Sequence, residues 1–203
     1  MTISLPAAPE FGTPVEQKPR PELLEFLAAR RSSSAVTLIE PAPSAGEIEA
    51  LISLAARVPD HGKLAPWRFI VLAGENKAAF AARLQELAAS RNDVKAVAKL
   101  AKLKIPPACI AVISRTKTSD IQEWEQILSA GAVCTTLLYA AQALGYGANW
   151  ITDWYAYDAQ AKTILGLEAQ EQVAGFILLG SIKEPPLERE RPDAKALTST
   201  WRP

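Results

Sequence analysis

The sequence predicts a single mixed α/β domain. Its 203 residues, 49% of them hydrophobic, are one domain's worth of chain and enough to bury a full core. Four short apolar runs bounded by Pro or Gly read as buried strands, and the stretches between them repeat at helical spacing. The strands are too few and their connections too uneven for a doubly wound parallel sheet. No internal repeat divides the chain.

Residues 1–21 hold Pro6, Pro9, Pro14, Pro19 and Pro21 and almost no periodic apolar pattern, so they read as an extended or disordered arm. The folded domain is expected over 22–182. Leu23, Leu24, Phe26 and Leu27 predict a first helix that stops at Arg30-Arg31-Ser32-Ser33-Ser34, where hydroxyls compete with the helical backbone. Ser44-Ala-Gly-Glu47 has capping-box spacing, and Ile48, Leu51, Ile52 and Ala55 follow on one face, predicting a second helix to about Val58, stopped by Pro59. Trp67–Ala73 is the first strand expected. Residues 75–103 read as one or two amphipathic helices, broken near Ser90–Asp93 and mostly solvated.

Pro106-Pro107 precedes a second buried strand, Ala108–Ser114. Ser119 or Asp120 is the expected cap of a long helix from Ile121 to Leu144, ended by Gly145-Tyr-Gly147. Its second half is apolar nearly all round, which predicts a subunit interface there. Ala148–Thr152 is the third strand, Asp158–Leu165 a short helix and Val173–Gly180 the fourth strand. The tail, 183–203, has no core pattern beyond Leu197 and Trp201.

Composition excludes several functions. Twenty-two basic residues balance 22 acidic ones with no basic run, which argues against nucleic acid as a partner. No apolar stretch reaches the ~18 to 20 residues of a membrane span, and the Met-Thr-Ile-Ser-Leu-Pro start lacks a signal peptide's basic and apolar regions. The expectation is a soluble, cytoplasmic protein with no membrane partner. Cys109 and Cys134 sit in apolar segments and read as buried free thiols. One histidine and two distant cysteines do not assemble a zinc site, and no metal is expected.

Hydrolase and kinase motifs are absent. Gly145-Tyr-Gly147 follows a helix and precedes a strand, the reverse of the order that aims a helix N-terminus at a pyrophosphate. Arg30-Arg31-Ser32-x-Ser34 brings two guanidinium forks and hydroxyls together, a group suited to a phosphate monoester; a solvated basic helix end is the alternative. Pro59-Asp60-His61-Gly62-Lys63-Leu64-Ala65-Pro66-Trp67 concentrates polar side chains in a loop between a helix and a buried strand. Its alternative reading is a structural turn in which Asp60 fixes the His61 tautomer. Trp67 and Trp150 are expected to serve packing as much as substrate contact.

Taken in order, these pieces resemble the short FMN-dependent branch of the nitroreductase superfamily. The likeness runs from about Leu23 to Gly180 and includes Arg57-x-Pro59-Asp60-His61-x4-Pro66-Trp67, Trp124-Glu125-Gln126-x3-Ala130-Gly131 and Gly175-Phe-Ile-x-Leu-Gly180. The resemblance implies an α+β fold, an α/β/α sandwich with a mixed, mostly antiparallel sheet flanked by helices. It also implies a homodimer with two FMN sites at the interface, each built from both chains.

By the same resemblance, Arg30, Arg31, Ser32 and Ser34 hold the ribityl phosphate and flavin edge, and Arg57 and His61 come from a loop that closes over the cofactor. Ile151, Thr152 and Asp153 run along the ring. Ala141, Gln142, Ala143, Leu144, Gly145 and Tyr146 match a stretch associated with nicotinamide-nucleotide binding, and Arg189 and Arg191 resemble a basic tail that reaches the phosphate. Much of the superfamily has Asn at the position of His61, and near relatives have Arg at that of Ile151; Lys63 partly restores the lost charge.

The implied function is an NAD(P)H oxidoreductase that passes hydride through FMN to nitroaromatic or quinone-like acceptors by a ping-pong route, with NADH or NADPH as co-substrate. No catalytic acid or base is required of the chain, because the flavin carries the chemistry. Rival readings are another flavin oxidase, dehydrogenase or dehalogenase, a flavin-storing dimer without efficient turnover, and a helical interaction scaffold.

Overall fold

The structure, a computed structural model, describes residues 7–203. The first six residues of the expected arm lie outside the described ones. From residue 7 to Arg20 the chain carries no helix or strand and is exposed.

One long strand organises the sheet. β5 (Gln172–Ile182) pairs antiparallel with β3 (Ala108–Ser114) along one edge, and with β4 (Gly147–Ile151) and then β1 (Leu38–Ile39) along the other. β2 (Trp67–Ala73) completes the sheet antiparallel to β3, from Trp67 opposite Ser114 to Ala73 opposite Ala108. No parallel ladder occurs among the described residues. β1 escaped sequence prediction because two residues show no alternation.

Period-two alternation along β3 splits its fully buried side chains between two cores. Cys109, Ala111 and Ile113 join Phe176 and Leu178 of β5 on one face. That face is covered by α3 (Gly74–Ser90), α5 (Ala101–Lys104) and α7 (Ala159–Leu165) through Phe80, Leu84, Leu103 and Leu165, and by Leu100, which follows α4 (Val94–Lys99). Ile110, Val112, Ile177 and Leu179 face the other way, onto Ile48 and Leu51 of α2 (Ala45–Ala55) and Val133, Cys134 and Leu137 of α6 (Glu123–Ala143). The result is an α/β/α sandwich.

Several element boundaries differ from expectation. Ser44 and Glu47 form the reciprocal capping box, but α2 ends at Ala55, where Ala56 N–H reaches Ile52 O, before Pro59 acts. Residues 75–103 are mostly solvated, as expected, while Phe80, Ala81, Leu84, Leu100 and Leu103 bury one face. α6 starts at Glu123 behind Gln122, without a side-chain cap. Ser119 Oγ instead accepts from Ile121 N–H in a turn before the helix. Asp158 stands outside α7 as its cap, accepting from Ala161 N–H at 2.9 Å.

The apolar second half of α6 is covered by α2 and the sheet of its own chain. What α6 leaves exposed is its first half, Trp124, Ile127 and Leu128 at 62%, 51% and 58%. α1 (Pro21–Ala29) buries no residue at all, and Leu23, Leu24 and Leu27 are exposed.

Both cysteines are free and buried, and burial pushes their thiols up to about 12, which keeps them protonated and inert. Among the described residues no group of three His, Cys, Asp or Glu is placed to hold a metal ion, and no helix is long and apolar enough to cross a membrane.

Candidate functional site

The polar corner after α1 is built against the C-terminal end of α6 and the start of β4. Ser33 N–H donates to Ala148 O at 3.0 Å, and Asn149 Nδ2 donates to Ser33 O, so residues 31–34 run beside β4 as an additional extended segment. Gln142 Nε2 donates to Arg31 O at 2.7 Å, anchoring the corner to α6. A Cβ on Gly147 would come within 2.4 Å of Leu38 Cδ2 and 2.9 Å of Ser33 Oγ; only glycine permits this approach.

Here the side chains are poised rather than satisfied. Arg30 Nη2 donates to Ser32 Oγ at 3.2 Å and the guanidinium carbon lies 5.9 Å from the centre of the Tyr139 ring. Arg30 Nε and Ser33 Oγ are buried with no hydrogen-bond partner. An unpaired buried donor costs roughly 1–3 kcal/mol, and of the three unpartnered buried side-chain polar atoms among the described residues, these two sit together while the third, Tyr155 OH, lies in the first core. The first two flank a cavity of about 340 Å³ lined by Arg30, Arg31, Ser33, Gln142, Gly145 and Tyr146.

The tail crosses this corner. Arg31 Nε donates to Leu187 O at 2.8 Å, and Arg191 Nη2 donates to Arg30 O at 3.4 Å while its Nε pairs with Glu188 at 2.9 Å. Arg189 is close in sequence, but only its backbone N–H makes a contact, to Glu188 Oε1. Ser34 is exposed at the start of a 3₁₀ turn, its carbonyl accepting from Thr37.

The stretch from Ala141 to Tyr146 turns from α6 into β4. Ala141 is buried in the core, Gly145 adopts φ +87°, Ala143 is exposed, and Leu144 closes the helix with its N–H on Ala140 O. Tyr146 OH donates to Glu47 Oε2 at 3.0 Å, tying this turn to the first turn of α2. The Ser44 backbone N–H and hydroxyl hold the Glu47 carboxyl below its ordinary value, and burial raises the Tyr146 phenol.

Ile151, Thr152 and Asp153 lie at the other end of β4, about 14 Å along the strand from Gly147 at ~3.4 Å per residue. Ile151 packs against the first core. Thr152 Oγ1 accepts from Tyr157 OH at 2.9 Å. Asp153 adopts φ +30° with ψ −178°, a region favourable only to glycine. Its carboxylate accepts from Trp154 N–H at 2.7 Å and lies 3.8 and 3.6 Å from the ammonium groups of Lys99 and Lys102. The Asp153 side chain is therefore engaged within its own chain.

The His61 loop stands at the opposite end of α6. Asp60 carboxylate oxygens accept from Leu64 N–H at 3.0 Å and Ala65 N–H at 2.8 Å, holding Lys63 and Ala65 at positive φ. Asp60 thus builds the loop and does not orient His61. That task falls to Glu125, whose Oε2 is 2.8 Å from His61 Nδ1. Next to an ionised carboxylate Nδ1 carries the proton, which leaves Nε2 as the free nitrogen of the neutral ring. Ser129 locks the loop further, its hydroxyl donating to Pro59 O at 2.8 Å and accepting from Trp67 Nε1. Lys63 is exposed.

Arg57 lines a separate cavity of about 480 Å³ with Thr135 and Thr136 of α6. Within one chain, then, the structure brings Arg30, Arg31, Ser32, Gln142 and Arg191 together, and keeps His61 apart. Fourteen residues of α6 separate Glu125 from Tyr139, about 21 Å at ~1.5 Å each. Sequence reasoning missed Ser33 and Glu125. Nothing distinguishes Ser33 from its two serine neighbours before folding, whereas Glu125 was visible inside the Trp124-Glu125-Gln126 segment without a role.

The nitroreductase family model matches residues 27–181, which contain the Arg30–Ser34 corner, the His61 loop, α6 and β4 but not the tail. The chain belongs to the nitroreductase family. It is 32% identical over 163 residues to the "Putative NAD(P)H nitroreductase YdjA" of Escherichia coli K12, covering 79% of this chain and 88% of that one. Among solved structures, the fold is similar to a nitroreductase-like family protein from Bacillus cereus, with a TM-score of 0.75 and 18% identity over 93% of this chain and 98% of that one. It is similar also to a nitroreductase in complex with FMN from Desulfovibrio desulfuricans, with a TM-score of 0.70 and 20% identity over 93% and 100%.

Proposed function

We propose that this family member is an FMN-dependent NAD(P)H oxidoreductase that reduces nitroaromatic or quinone-like acceptors by a ping-pong route. The observation that carries the reading is the Arg30–Ser33 corner: a guanidinium Nε and a hydroxyl, buried and unpartnered, beside a cavity closed by a second arginine and an arginine-bearing tail. Those unpaired donors fit an anionic, hydroxyl-bearing group such as the ribityl phosphate.

When bound, FMN supplies the two-electron carrier between nicotinamide and acceptor. Arg30 and Arg31 would hold the phosphate through their forks, with Ser32, Ser33 and Ser34 taking hydroxyl positions. Arg189 and Arg191 would add charge from the tail. Ile151, Thr152 and Asp153 would offer backbone groups along the ring. The Ala141–Tyr146 turn would accommodate the nicotinamide nucleotide. His61 and Arg57 would reach a cofactor held mainly by the partner subunit, because His61 stands about 21 Å along α6 from the Arg30 corner of its own chain. A homodimer with shared sites follows from that separation, and the exposed apolar surfaces of α1 and of the first half of α6 suit it.

The first measurement is an absorbance spectrum of the purified protein before and after NADH or NADPH is added without oxygen, with the chromophore identified by mass. A flavin spectrum that bleaches is expected, and the nucleotide that bleaches it is the donor. Flavin that stays oxidised with both nucleotides would favour storage, in keeping with the apolar Ile151. A colourless protein that takes up no FMN when supplied would overturn the reading. Arg31→Ala is expected to weaken FMN binding by about tenfold to a hundredfold, the worth of one or two charge-assisted hydrogen bonds.

A further inference from the structure

Outside the proposed flavin site, a second cavity of about 510 Å³ opens between the start of α3, the end of α5 and Glu40. It shares no lining residue with the Arg30 corner. Lys77 points into it from the first turns of α3. Lysines at a surface helix normally extend their ammonium to water, yet Lys77 is only 6% exposed. Its Nζ donates to Lys104 O at 2.8 Å, and two of its three N–H groups have no acceptor among the described residues. No carboxylate lies within ion-pair distance; burial lowers its affinity for a proton, against a smaller opposing pull from the more distant Glu40. A cation desolvated without a counter-ion is costly, and the cavity beside it has room for one.

The remaining walls define the ligand. The Lys104 ammonium stands at the same cavity and meets only the neutral carbonyl of Gln85. Glu40 also lines it, but its carboxylate is turned to Ala42 N–H at 2.7 Å. Two ammonium groups against one carboxylate leave one positive charge, which favours a monoanion over a dianion. Ala78, Ala81, Ala82, Ile105 and Pro107 give an apolar floor. α3 starts without a side-chain N-cap and its Gly74 lines this end of the cavity; Glu75 in the same turn is exposed and does not line it.

We propose that this cavity is a binding site for a small monocarboxylate with an apolar body, the carboxylate held by Lys77 and Lys104 and the body by the alanine face of α3 and by Ile105 and Pro107. The site is independent of the flavin reading, since it uses none of the same residues and needs no flavin to form.

The test is a titration of the full-length ¹⁵N-labelled protein with benzoate, followed by the Gly74 and Ala78 backbone amides and the Gln85 side-chain amide. Benzamide serves as the neutral isostere and inorganic phosphate as the anion without an apolar body. Saturable shifts with a Kd of about 1 mM or tighter are expected for benzoate alone. Lys77→Met keeps the stem and removes the charge, and is expected to weaken benzoate at least about tenfold. Lys104→Gln, on an exposed side chain, is expected to weaken it severalfold and decides the matter if the Lys77 variant does not fold. Absence of saturable shifts overturns the proposal, as does benzamide or phosphate binding as well as benzoate, or benzoate binding unchanged in the variants.

Discussion

Asp153 shows at the scale of one residue how a site position is held under strain. A non-glycine backbone at φ +30° with extended ψ costs about 1–3 kcal/mol. Its carboxylate offsets part of that through Trp154 N–H, Lys99 and Lys102. Asp153→Ala removes those partners and keeps the steric conflict, whereas Asp153→Gly removes the partners and the conflict together. The glycine variant should therefore be the more stable of the two by about 1 kcal/mol or more in chemical denaturation. Equal stabilities would show that the conformation carries no strain. The family resemblance points to Asp153 in the sequence; its backbone conformation is not readable there, because it depends on lysines some fifty residues away meeting that carboxylate.

Two elements illustrate what local sequence can and cannot specify. The Ser44–Glu47 box is written in four consecutive residues and forms as spelled, so Ser44→Ala should destabilise by about 1 kcal/mol, read as a lower denaturation midpoint. The tie between β2 and the start of β5 is different. Arg68 Nε and Nη2 bind Glu171 at 2.6 and 2.7 Å, with Glu171 only 1% exposed and also accepting from Glu168 N–H. Arg68 holds the Glu171 carboxyl below its ordinary value of 4.5. Because the folded value is depressed, this stabilisation is complete well above pH 4.5 and is lost as pH falls below it through the folded value. Glu171→Gln should cost about 3 kcal/mol near neutral pH and flatten the stability profile below 4.5. A mutant curve parallel to that of the parent would remove Glu171 as its cause. No spacing rule links residues 68 and 171; β3 lies between β2 and β5, and their shared pairing with it brings Arg68 and Glu171 together.

Among the described residues, contiguous exposed apolar side chains lie on α1 and the first half of α6 rather than on the second half of α6 that its composition suggested, and others lie along the tail at Leu187, Leu197 and Trp201. α2 and the sheet cover that second half within the chain. Replacing Ile127 and Leu128 together by Glu places two charges on the exposed patch. The expected result in sedimentation is a shift from a dimer toward the 21.9 kDa monomer, with FMN retention falling in parallel. A monomer that keeps its flavin would refute a site shared between subunits.

What the amino-acid order determined alone is whatever is carried by neighbours along the chain: the buried runs of β3 and β5, the existence of β2, the capped start of α2, the breaks at Pro and Gly, and the Arg30–Ser34 and Asp60–His61 clusters. The burial expected of β2 did not follow, because it is the edge strand and only Leu72 in it is buried. Propensity and periodicity act over a few residues, so these features survive without knowledge of the fold. Tertiary structure decided which side chains remained unpaired and which were consumed. Ser33 rather than Ser32 lost its partners, Glu125 rather than Asp60 took His61, and Lys77 was closed over without a counter-ion. Each outcome depends on desolvation and on contacts between segments distant in sequence. Those energies exist only once the sheet has brought the segments together.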